Sequence, residues 1–304
     1  MKYSVIVPAF NEQEVLPLSY PRLKAVMDTL GDYELIFVND GSRDNTLKQL
    51  REIAEKDKNV RIISFSRNFG HQEAVSAGMA HSSGQAVVII DCDLQDPPEL
   101  IPDMVKKWEA GADIVYGQRV KRQGETAFKK FSAWAYYRTL RALGGQYIPA
   151  NTGDFRLIDR KVCDTLNAMP EKNRFLRGMA AWSGFKAEPI EFVREERAAG
   201  QTKYSMKKML KLAGDGITSF SNKPLKAPLA AGIVLAMLSL IYLVVAIVLT
   251  AVGLWNVFHV LFALVFCLLG VLFISLGIFG LYLGRIYDEA KARPIYIIDE
   301  KFNF

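Results

Sequence analysis

The sequence predicts an α/β protein in which a mostly parallel sheet, covered by helices, precedes a C-terminal transmembrane hairpin of two helices. Strand and helix patterns alternate from residue 1 to about 118, which is typical of a parallel sheet with helices on both faces. In contrast, residues 227–284 contain no Asp, Glu, Lys or Arg across 58 positions. Since a spanning helix needs about 20 apolar residues, this segment has room for two spans.

Five strands and four helices are predicted in the alternating part. The strands are expected at residues 3–7, 35–38, 60–64, 86–90 and 113–116, and the helices at 12–30, 44–56, 72–80 and 99–109. Asp44 is expected to cap the second helix. Because the strands are mostly parallel, the polar residues at their carboxyl ends should meet at one edge of the sheet.

Three acids, Asp91, Asp93 and Asp96, directly follow the apolar strand predicted at 86–90. Carboxylates at the end of a buried strand are costly unless a cation meets them. One interpretation is a divalent-metal site for a nucleotide diphosphate, since carboxylate oxygens suit Mg²⁺. The alternative is a solvated turn in which Asp96 caps the next helix. The tripeptide alone leaves both open.

Three further polar loops follow predicted strands at the same edge. They cover residues 8–12, 39–46 and 66–71. Ordinary turn chemistry explains any one of them, because Asn, Asp, Gly and Ser dominate turns. Their shared position with Asp91 and Asp93 favours a binding site. Asp40 is a candidate acceptor of hydrogen bonds from a base or ribose, whereas His71 is expected to begin a helix rather than bind a ligand.

At this point the motifs carry a family resemblance. Residues 5–12 (VIVPAFNE), 38–44 (VNDGSRD) and 91–95 (DCDLQ) resemble family 2 glycosyltransferases with the GT-A, Rossmann-like fold. The similarity is closest to polyprenyl-phosphate glycosyltransferases of the bactoprenol glucosyltransferase and dolichol-phosphate mannose synthase type, and it extends over essentially the whole chain. Two departures are Cys92, where a small apolar residue is more usual, and His71, where this subgroup often has Lys.

The resemblance implies roles for individual residues. Asp154, Asp93 and Asp91 are implied as catalytic residues, and Asp91, Asp93 and Gln95 as ligands of Mg²⁺ or Mn²⁺. Nucleotide-sugar contacts are implied for Pro8, Asn11, Glu12, Asp40, Asn68, Asp91 and Arg119, and acceptor-phosphate contacts for Arg119, Arg197 and Lys203.

Several of these roles have a plainer alternative. Arg119 is either a phosphate clamp, to which a guanidinium is suited, or a solvent-exposed side chain. The resemblance places Asp154 beside the sugar as a base or an orienting residue, and the alternative is that it caps a helix or pairs with Arg156. Orientation is favoured because a phosphate acceptor is already ionised and needs no base. The segment 194–204 is either an acceptor loop or a basic linker held by anionic lipids. Arg177 is a weaker candidate.

The predicted domain organisation has four parts. These are a catalytic domain (1–200), an acceptor loop with a juxtamembrane amphipathic helix (201–226), the hairpin (227–284, with spans at about 228–252 and 258–283) and a tail (285–304). Lysine and arginine flank the hairpin while its turn is uncharged, so positive-inside logic puts the catalytic domain and both termini in the cytoplasm, at the plasma (inner) membrane. Residues 294–298 are expected to add a short strand.

The predicted function is an inverting transfer of a hexose, glucose from UDP-glucose, onto undecaprenyl or another polyprenyl phosphate. The product would serve cell-envelope glycan, O-antigen or teichoic acid modification. Alternatives are UDP-GlcNAc, GDP-mannose or modified-arabinose donors, a polysaccharide-extending transferase, and a non-enzymatic membrane adaptor. The net charge of +6 clusters near the apolar segment, which favours anionic lipid rather than nucleic acid. An aromatic and basic helix at 127–143 is expected either to lie on the bilayer or to pack between the catalytic domain and its hairpin or a neighbouring subunit. Relatives imply a homo-oligomer.

Overall fold

The computed structural model describes residues 1–121, 152–193 and 258–304, together with positions 248 and 252. Of these, residues 1–121, 152–193 and 294–304 belong to one compact unit, and residues 258–293 belong to a second. The predicted helix at 127–143, the acceptor loop with Arg197 and Lys203, and nearly all of the first predicted span lie outside the described residues.

The first unit is built on one eight-stranded sheet. Its strands are β1 (Tyr3–Ala9), β2 (Tyr33–Asn39), β3 (Val60–Phe65), β4 (Ala86–Ile89), β5 (Ile114–Lys121), β6 (Thr152–Asp159), β7 (Ala187–Val193) and β8 (Ile298–Phe302). They lie in the order β7-β5-β6-β4-β1-β2-β3-β8. Strands β4, β1, β2 and β3 are parallel, whereas β6 and β8 each pair antiparallel with their neighbours. The predicted mostly parallel sheet is therefore confirmed.

Seven α-helices accompany the sheet in the described residues, together with a short 3-10 helix at Pro98–Leu100. They are α1 (Leu16–Leu30), α2 (Thr46–Lys56), α3 (His71–His81), α4 (Ile101–Glu109), α5 (Arg160–Ala168), α6 (Leu176–Trp182) and, in the second unit, α7 (Phe258–Ala290). All seven residues of β2 are buried. Burial on both faces explains why the central strands are continuous apolar runs instead of alternating patterns.

Several predicted boundaries differ from the structure, and the following three are explained by local contacts or by the position of the strand. Helix α1 begins at Leu16, not at residue 12, because residues 12–15 form a turn in which the Glu12 carbonyl accepts from the N–H groups of Val15 and Leu16. Helix α2 begins at Thr46, and the Asp44 carboxylate accepts from its backbone N–H at 3.0 Å. The last strand is Ile298–Phe302 rather than 294–298.

The predicted transmembrane hairpin is not supported by the described residues. Within 1–121, 152–193 and 258–304, no helix is long and apolar enough to cross a membrane.

Candidate active site

A cleft of about 580 Å³ opens at the carboxyl ends of β1 to β4. Because these four strands are parallel, the loops that follow them reach the same edge of the sheet. Seven of the residues predicted from the sequence to bind donor or metal line this cleft: Pro8, Asn11, Glu12, Asp40, Asn68, Asp91 and Asp93. The structure therefore brings together most of the predicted site.

The loop after β1 is tied to the loop after β2. The backbone N–H of Asn11 donates to Ser42 Oγ at 2.9 Å, and Asn11 Oδ1 accepts from the N–H of Arg43 at 2.8 Å. The N–H of Glu12 donates to Thr46 Oγ1 at 2.8 Å. These paired contacts fix one wall of the cleft from two separate strands.

Asp40 is buried and is held by uncharged donors. Its Oδ1 accepts from the N–H of Phe69 at 2.7 Å, and its Oδ2 accepts from Asn68 Nδ2 at 2.6 Å and from the N–H of Gly70 at 3.1 Å. Burial raises the pKa of Asp40, and the backbone donors of Phe69 and Gly70 oppose that rise. A carboxylate has about four acceptor positions, so these oxygens can accept further hydrogen bonds from a ligand.

Asp91 lies beside His71, the first residue of α3. His71 Nε2 is 3.0 Å from Asp91 Oδ1 and 3.8 Å from Asp154 Oδ2, so the imidazole lies between two carboxylates. Burial, with Asp154, Asp93 and Asp96 nearby, raises the pKa of Asp91 to about 6, although His71 opposes the shift. This end of the cleft concentrates negative charge.

Asp154 is paired with an arginine. Arg177 Nε and Nη2 donate to its two oxygens at 2.8 and 2.9 Å, in the two-pronged geometry that makes such pairs strong. Burial alone would raise the pKa of Asp154, but Arg177 more than offsets it and holds the pKa well below the usual range. Asp154 is therefore a fixed anion and a weak base.

Arg156 does not form the side-chain pair with Asp154 that was one interpretation of the sequence. Its guanidinium instead donates to backbone carbonyls, to that of Asp154 at 3.2 Å and to that of Gly153 at 3.1 Å. Arg156 thus stabilises the backbone conformation at residues 153 and 154.

Comparison with known proteins identifies the family. The family model of glycosyl transferase family 2 matches residues 4–166. An uncharacterized glycosyltransferase of Bacillus subtilis (strain 168), YkcC, is 50% identical over 312 residues, covering 99% of this chain and 94% of that protein. A bactoprenol glucosyl transferase of Shigella phage SfV is 40% identical over 311 residues, covering 98% of each chain. The chain belongs to glycosyl transferase family 2.

A solved structure shows the same fold in a distant glycosyltransferase. Glucosyl-3-phosphoglycerate synthase from Mycobacterium tuberculosis, in complex with Mn²⁺, UDP-glucose and phosphoglyceric acid, superposes with a TM-score of 0.53. The identity is 20%, and the match covers 72% of this chain and 78% of that one. The fold of this family 2 glycosyltransferase is therefore GT-A-like, as the motifs predicted.

Two carboxylates of the cleft suit a divalent cation. Asp91 and Asp93 both line it, and the negative groups that raise the pKa of Asp91 would be relieved by a positive charge. In the described residues, no cluster of three or more His, Cys, Asp or Glu side chains is arranged around one metal position. That donor set still fits Mg²⁺, which commonly takes one or two carboxylates and completes its shell with substrate phosphates and water.

Gln95 and Arg119 lie outside the residues that line the cleft. The backbone N–H of Gln95 donates to Asp93 Oδ1 at 3.1 Å, which orients that carboxylate. Arg119 Nη2 lies 3.3 Å from Asp96 Oδ1, and both side chains are largely buried. Asp96 thus meets an arginine instead of capping a helix. The ligand roles of Gln95 and Arg119 stay predictions.

Two residues of this site are more central than their sequence patterns indicated. His71 does begin a helix, as predicted, but it also lies within the cleft between Asp91 and Asp154. Arg177 was a weaker candidate and is the direct partner of Asp154. The signal for His71 was its position directly after a polar loop at a strand end. No local pattern around Arg177 indicates its partner, 23 residues earlier.

Proposed function

We propose that this glycosyltransferase transfers glucose from UDP-glucose to a polyprenyl phosphate such as undecaprenyl phosphate, with inversion at the anomeric carbon. The main support is that Asp40, Asp91 and Asp93 line one cleft. In addition, the chain is 40% identical, over 98% of its length, to a bactoprenol glucosyl transferase. UDP-glucose as donor is further supported by the fold shared with a synthase solved in complex with that sugar nucleotide.

The donor is proposed to lie along the cleft from Asp40 to Asp93. Asp40, Asn68, Pro8, Asn11 and Glu12 surround the nucleotide, and Asp40 accepts from the N–H of the base. Asp91 lies nearer the ribose and the sugar diphosphate. The distribution of charge supports this direction, because Asp40 is met by uncharged N–H groups, whereas several carboxylates gather around Asp91 and suit a cation that carries the diphosphate.

Asp93, with Asp91 and Gln95, is proposed to hold Mg²⁺ or Mn²⁺. When bound, the ion supplies Lewis-acid stabilisation of the negative charge that develops on the departing diphosphate. The N–H of Gln95 holds Asp93 in the orientation that this requires.

The transfer is a single displacement. An oxygen of the lipid phosphate forms a bond to the anomeric carbon as the bond from that carbon to the UDP oxygen breaks, and UDP leaves from the opposite face. No proton needs to be removed from the acceptor, since a phosphate is ionised near neutral pH. Asp154, which Arg177 keeps ionised, is therefore proposed to orient the sugar rather than act as a base. Arg119, Arg197 and Lys203 are proposed to hold the acceptor phosphate.

The acceptor places the reaction at the cytoplasmic face of the plasma membrane. Residues 227–284 lack charged side chains, and lysines and arginines flank them. Apolar side chains of α7, among them Leu272, Leu276 and Phe279, are exposed. Such a surface supports contact with lipid chains. We propose that the enzyme acts there as a homo-oligomer and that its product modifies cell-envelope glycan, O-antigen or teichoic acid.

A donor panel tests this function. Membranes that contain the full chain are given undecaprenyl phosphate with labelled UDP-glucose, UDP-GlcNAc, GDP-mannose or a modified-arabinose donor. The expected product is extractable into organic solvent, forms fastest from UDP-glucose and disappears with EDTA. A faster reaction with another donor would change the assigned sugar. No extractable product from any donor would overturn the proposal and favour a binding role.

A further inference from the structure

The loop of residues 66–70, here the Asp40 loop, is largely exposed, and its internal contacts come from Arg67, which donates to the Asn68 carbonyl at 2.9 Å and lies over the Phe69 ring at 3.9 Å. Ser66, Arg67 and Asn68 are exposed, and Phe69 is its one large apolar side chain. Yet this loop supplies the three groups that donate to Asp40. The loop also lies directly against the turn after β2. A Cβ added to Gly41, which has a φ of +63°, would overlap the backbone of Arg67 and Asn68.

Support for the Asp40 loop comes from residues 294–304, the segment that follows α7 in the chain. The ring of Tyr296 stacks on Phe65, with centroids 5.1 Å apart and planes 8° from parallel. Phe65 in turn meets Phe69 edge to face at 5.7 Å. The N–H of Ser66 donates to the carbonyl of Ile297 at 3.1 Å. A row of three rings thus ends at Phe69, whose own N–H donates to Asp40.

The 294–304 segment is itself firmly attached. Strand β8 pairs antiparallel with β3. Glu300 accepts from Arg51 Nη2 with both oxygens, at 2.6 and 2.7 Å. Asn303 Nδ2 donates to the carbonyls of Ala54 and Val60 at 2.8 and 2.9 Å. The backbone that holds Tyr296 is therefore anchored, so the Tyr296 ring can resist displacement of Phe65 and Phe69.

We propose that Tyr296 is a positioning residue for the nucleotide: through Phe65 and Phe69 it holds the Asp40 loop in the conformation that binds the donor. The inference rests on the proposed function, since it takes the UDP moiety to be the ligand at Asp40. It assigns to residues 294–304, more than 220 positions from the loop, a part in donor affinity.

The test compares Tyr296→Ala with Tyr296→Phe in the full chain in detergent. Isothermal titration calorimetry gives the Kd of each variant for UDP in the presence of Mg²⁺. Initial rates with UDP-glucose as donor give KM and kcat. An aromatic pair is worth about 0.5–1.5 kcal/mol, so Y296A should raise Kd for UDP and KM about three- to tenfold and leave kcat within about twofold. Y296F keeps the ring and should match the wild type within about twofold.

Phe304→Ala is the matched control. Phe304 belongs to the same segment but contacts His81 and Arg61, at 5.9 and 5.5 Å, instead of the Asp40 loop. F304A should lower the thermal midpoint without changing the Kd for UDP. If Y296A does not fold, Tyr296→Leu, which keeps apolar volume without a ring, takes its place with the same expected shift.

The outcomes separate this inference from the proposed function. A wild type that does not bind UDP removes the proposed function. A wild type that binds UDP, together with a Tyr296 variant that binds it equally well, overturns only the positioning role. Equal weakening by F304A would likewise overturn it, because the effect would then be general loss of stability.

Discussion

Two carboxylates of the site are held in opposite ways: Asp40 lines the cleft, whereas Asp154, close to His71, is not among the lining residues. Asp40 is surrounded by uncharged N–H donors from the Asp40 loop, and burial raises its pKa. Asp154 is clamped by the guanidinium of Arg177, which outweighs burial and lowers its pKa. The N–H dipoles around Asp40 leave its negative charge available to a ligand. In contrast, the positive charge of Arg177 balances that of Asp154. The first arrangement suits recognition of N–H groups, and the second suits a rigid scaffold beside a reacting anion.

Asp91 resembles Asp40 rather than Asp154. Burial, together with the neighbouring acids, raises its pKa to about 6, and its histidine neighbour opposes that rise without cancelling it. The contrast among the three carboxylates shows that partner type, rather than burial alone, decides what each can do. Four substitutions would break or sharpen this comparison.

Removing the cation of the Arg177–Asp154 pair should have the largest effect. Arg177→Gln leaves a largely buried carboxylate without its direct partner, although His71 and Arg156 remain nearby, so the free energy of unfolding should fall by up to about 3 kcal/mol, the low end for a buried pair. Arg22→Gln is the matched control. Arg22 donates from Nε and Nη2 to the two oxygens of Glu99 at 2.6 and 2.8 Å, in the same two-pronged geometry but in a more exposed position. The control should lose about 0–1 kcal/mol. Equal losses in urea unfolding would show that burial of the Asp154 pair is energetically unimportant.

The same pair predicts a dependence on pH. In the wild type the lowered pKa of Asp154 stabilises the fold above the ordinary carboxyl pKa of about 3.9. In R177Q burial is no longer opposed by Arg177, so the pKa of Asp154 is higher than in the wild type and less stability is gained as pH rises through the carboxyl range. The difference between the two thermal midpoints should therefore grow from pH 4 to pH 7. A constant difference would contradict the assigned cause.

Asp93→Asn should abolish most activity while leaving the fold intact. The change removes a charged metal ligand, and Lewis-acid stabilisation worth several kcal/mol would fall with it, so turnover should drop at least about 100-fold. Asp103→Asn, an exposed acid paired with Lys106 at 2.7 Å, is the control and should leave turnover unchanged. Wild-type turnover by D93N at saturating Mg²⁺ would remove Asp93 from the metal assignment.

Asp40→Asn should act on donor affinity. The new amide turns an NH₂ group toward N–H donors, and an unsatisfied buried donor costs about 1–3 kcal/mol, so KM for UDP-glucose should rise about tenfold with a smaller change in kcat. Asp57→Asn removes a carboxylate that accepts from the N–H of Asn59 and from Tyr20. Since Asp57 is not among the residues that line the cleft, it should affect stability alone. An unchanged KM in D40N would contradict nucleotide binding at Asp40.

Replacing His71 should have the smallest effect. His71→Leu removes the polar group between Asp91 and Asp154 and should lower kcat about fivefold, the scale of one hydrogen bond. His71→Lys keeps a donor there and should stay within about twofold of the wild type. Initial rates at saturating donor measure both. Equal rates in H71L and the wild type would reduce His71 to a helix-start residue.

Much of the cleft could be predicted because its information is local. Apolar runs that end in Asn39, Asp40 or Asp91 indicate buried strands with polar ends, and parallel order brings those ends together. Pairings between distant elements could not be predicted. Two such pairings are Arg119 with Asp96 and Arg177 with Asp154. They depend on how strands and helices pack, and the spacing of apolar residues carries no information about that packing.

The last strand shows why edges mislead sequence analysis. The apolar residues 294–298 looked more like a strand than the charged run Ile298–Phe302. At a sheet edge, however, one face meets water, so alternating charge is compatible with pairing. Tyr296 uses its apolar surface on Phe65 instead of in the ladder.

The position of β8 in the chain also means that its partner β3 is synthesised long before it. Strand β3 ends at residue 65, but the strand that covers its outer edge ends at residue 302. At about 5–20 residues per second, a ribosome needs roughly 10 to 50 s to make the intervening chain. During that interval the edge of β3 presents unpaired backbone groups to any neighbouring polypeptide. A nascent chain of this enzyme is thus most exposed to misassociation after its core has formed and before β8 emerges.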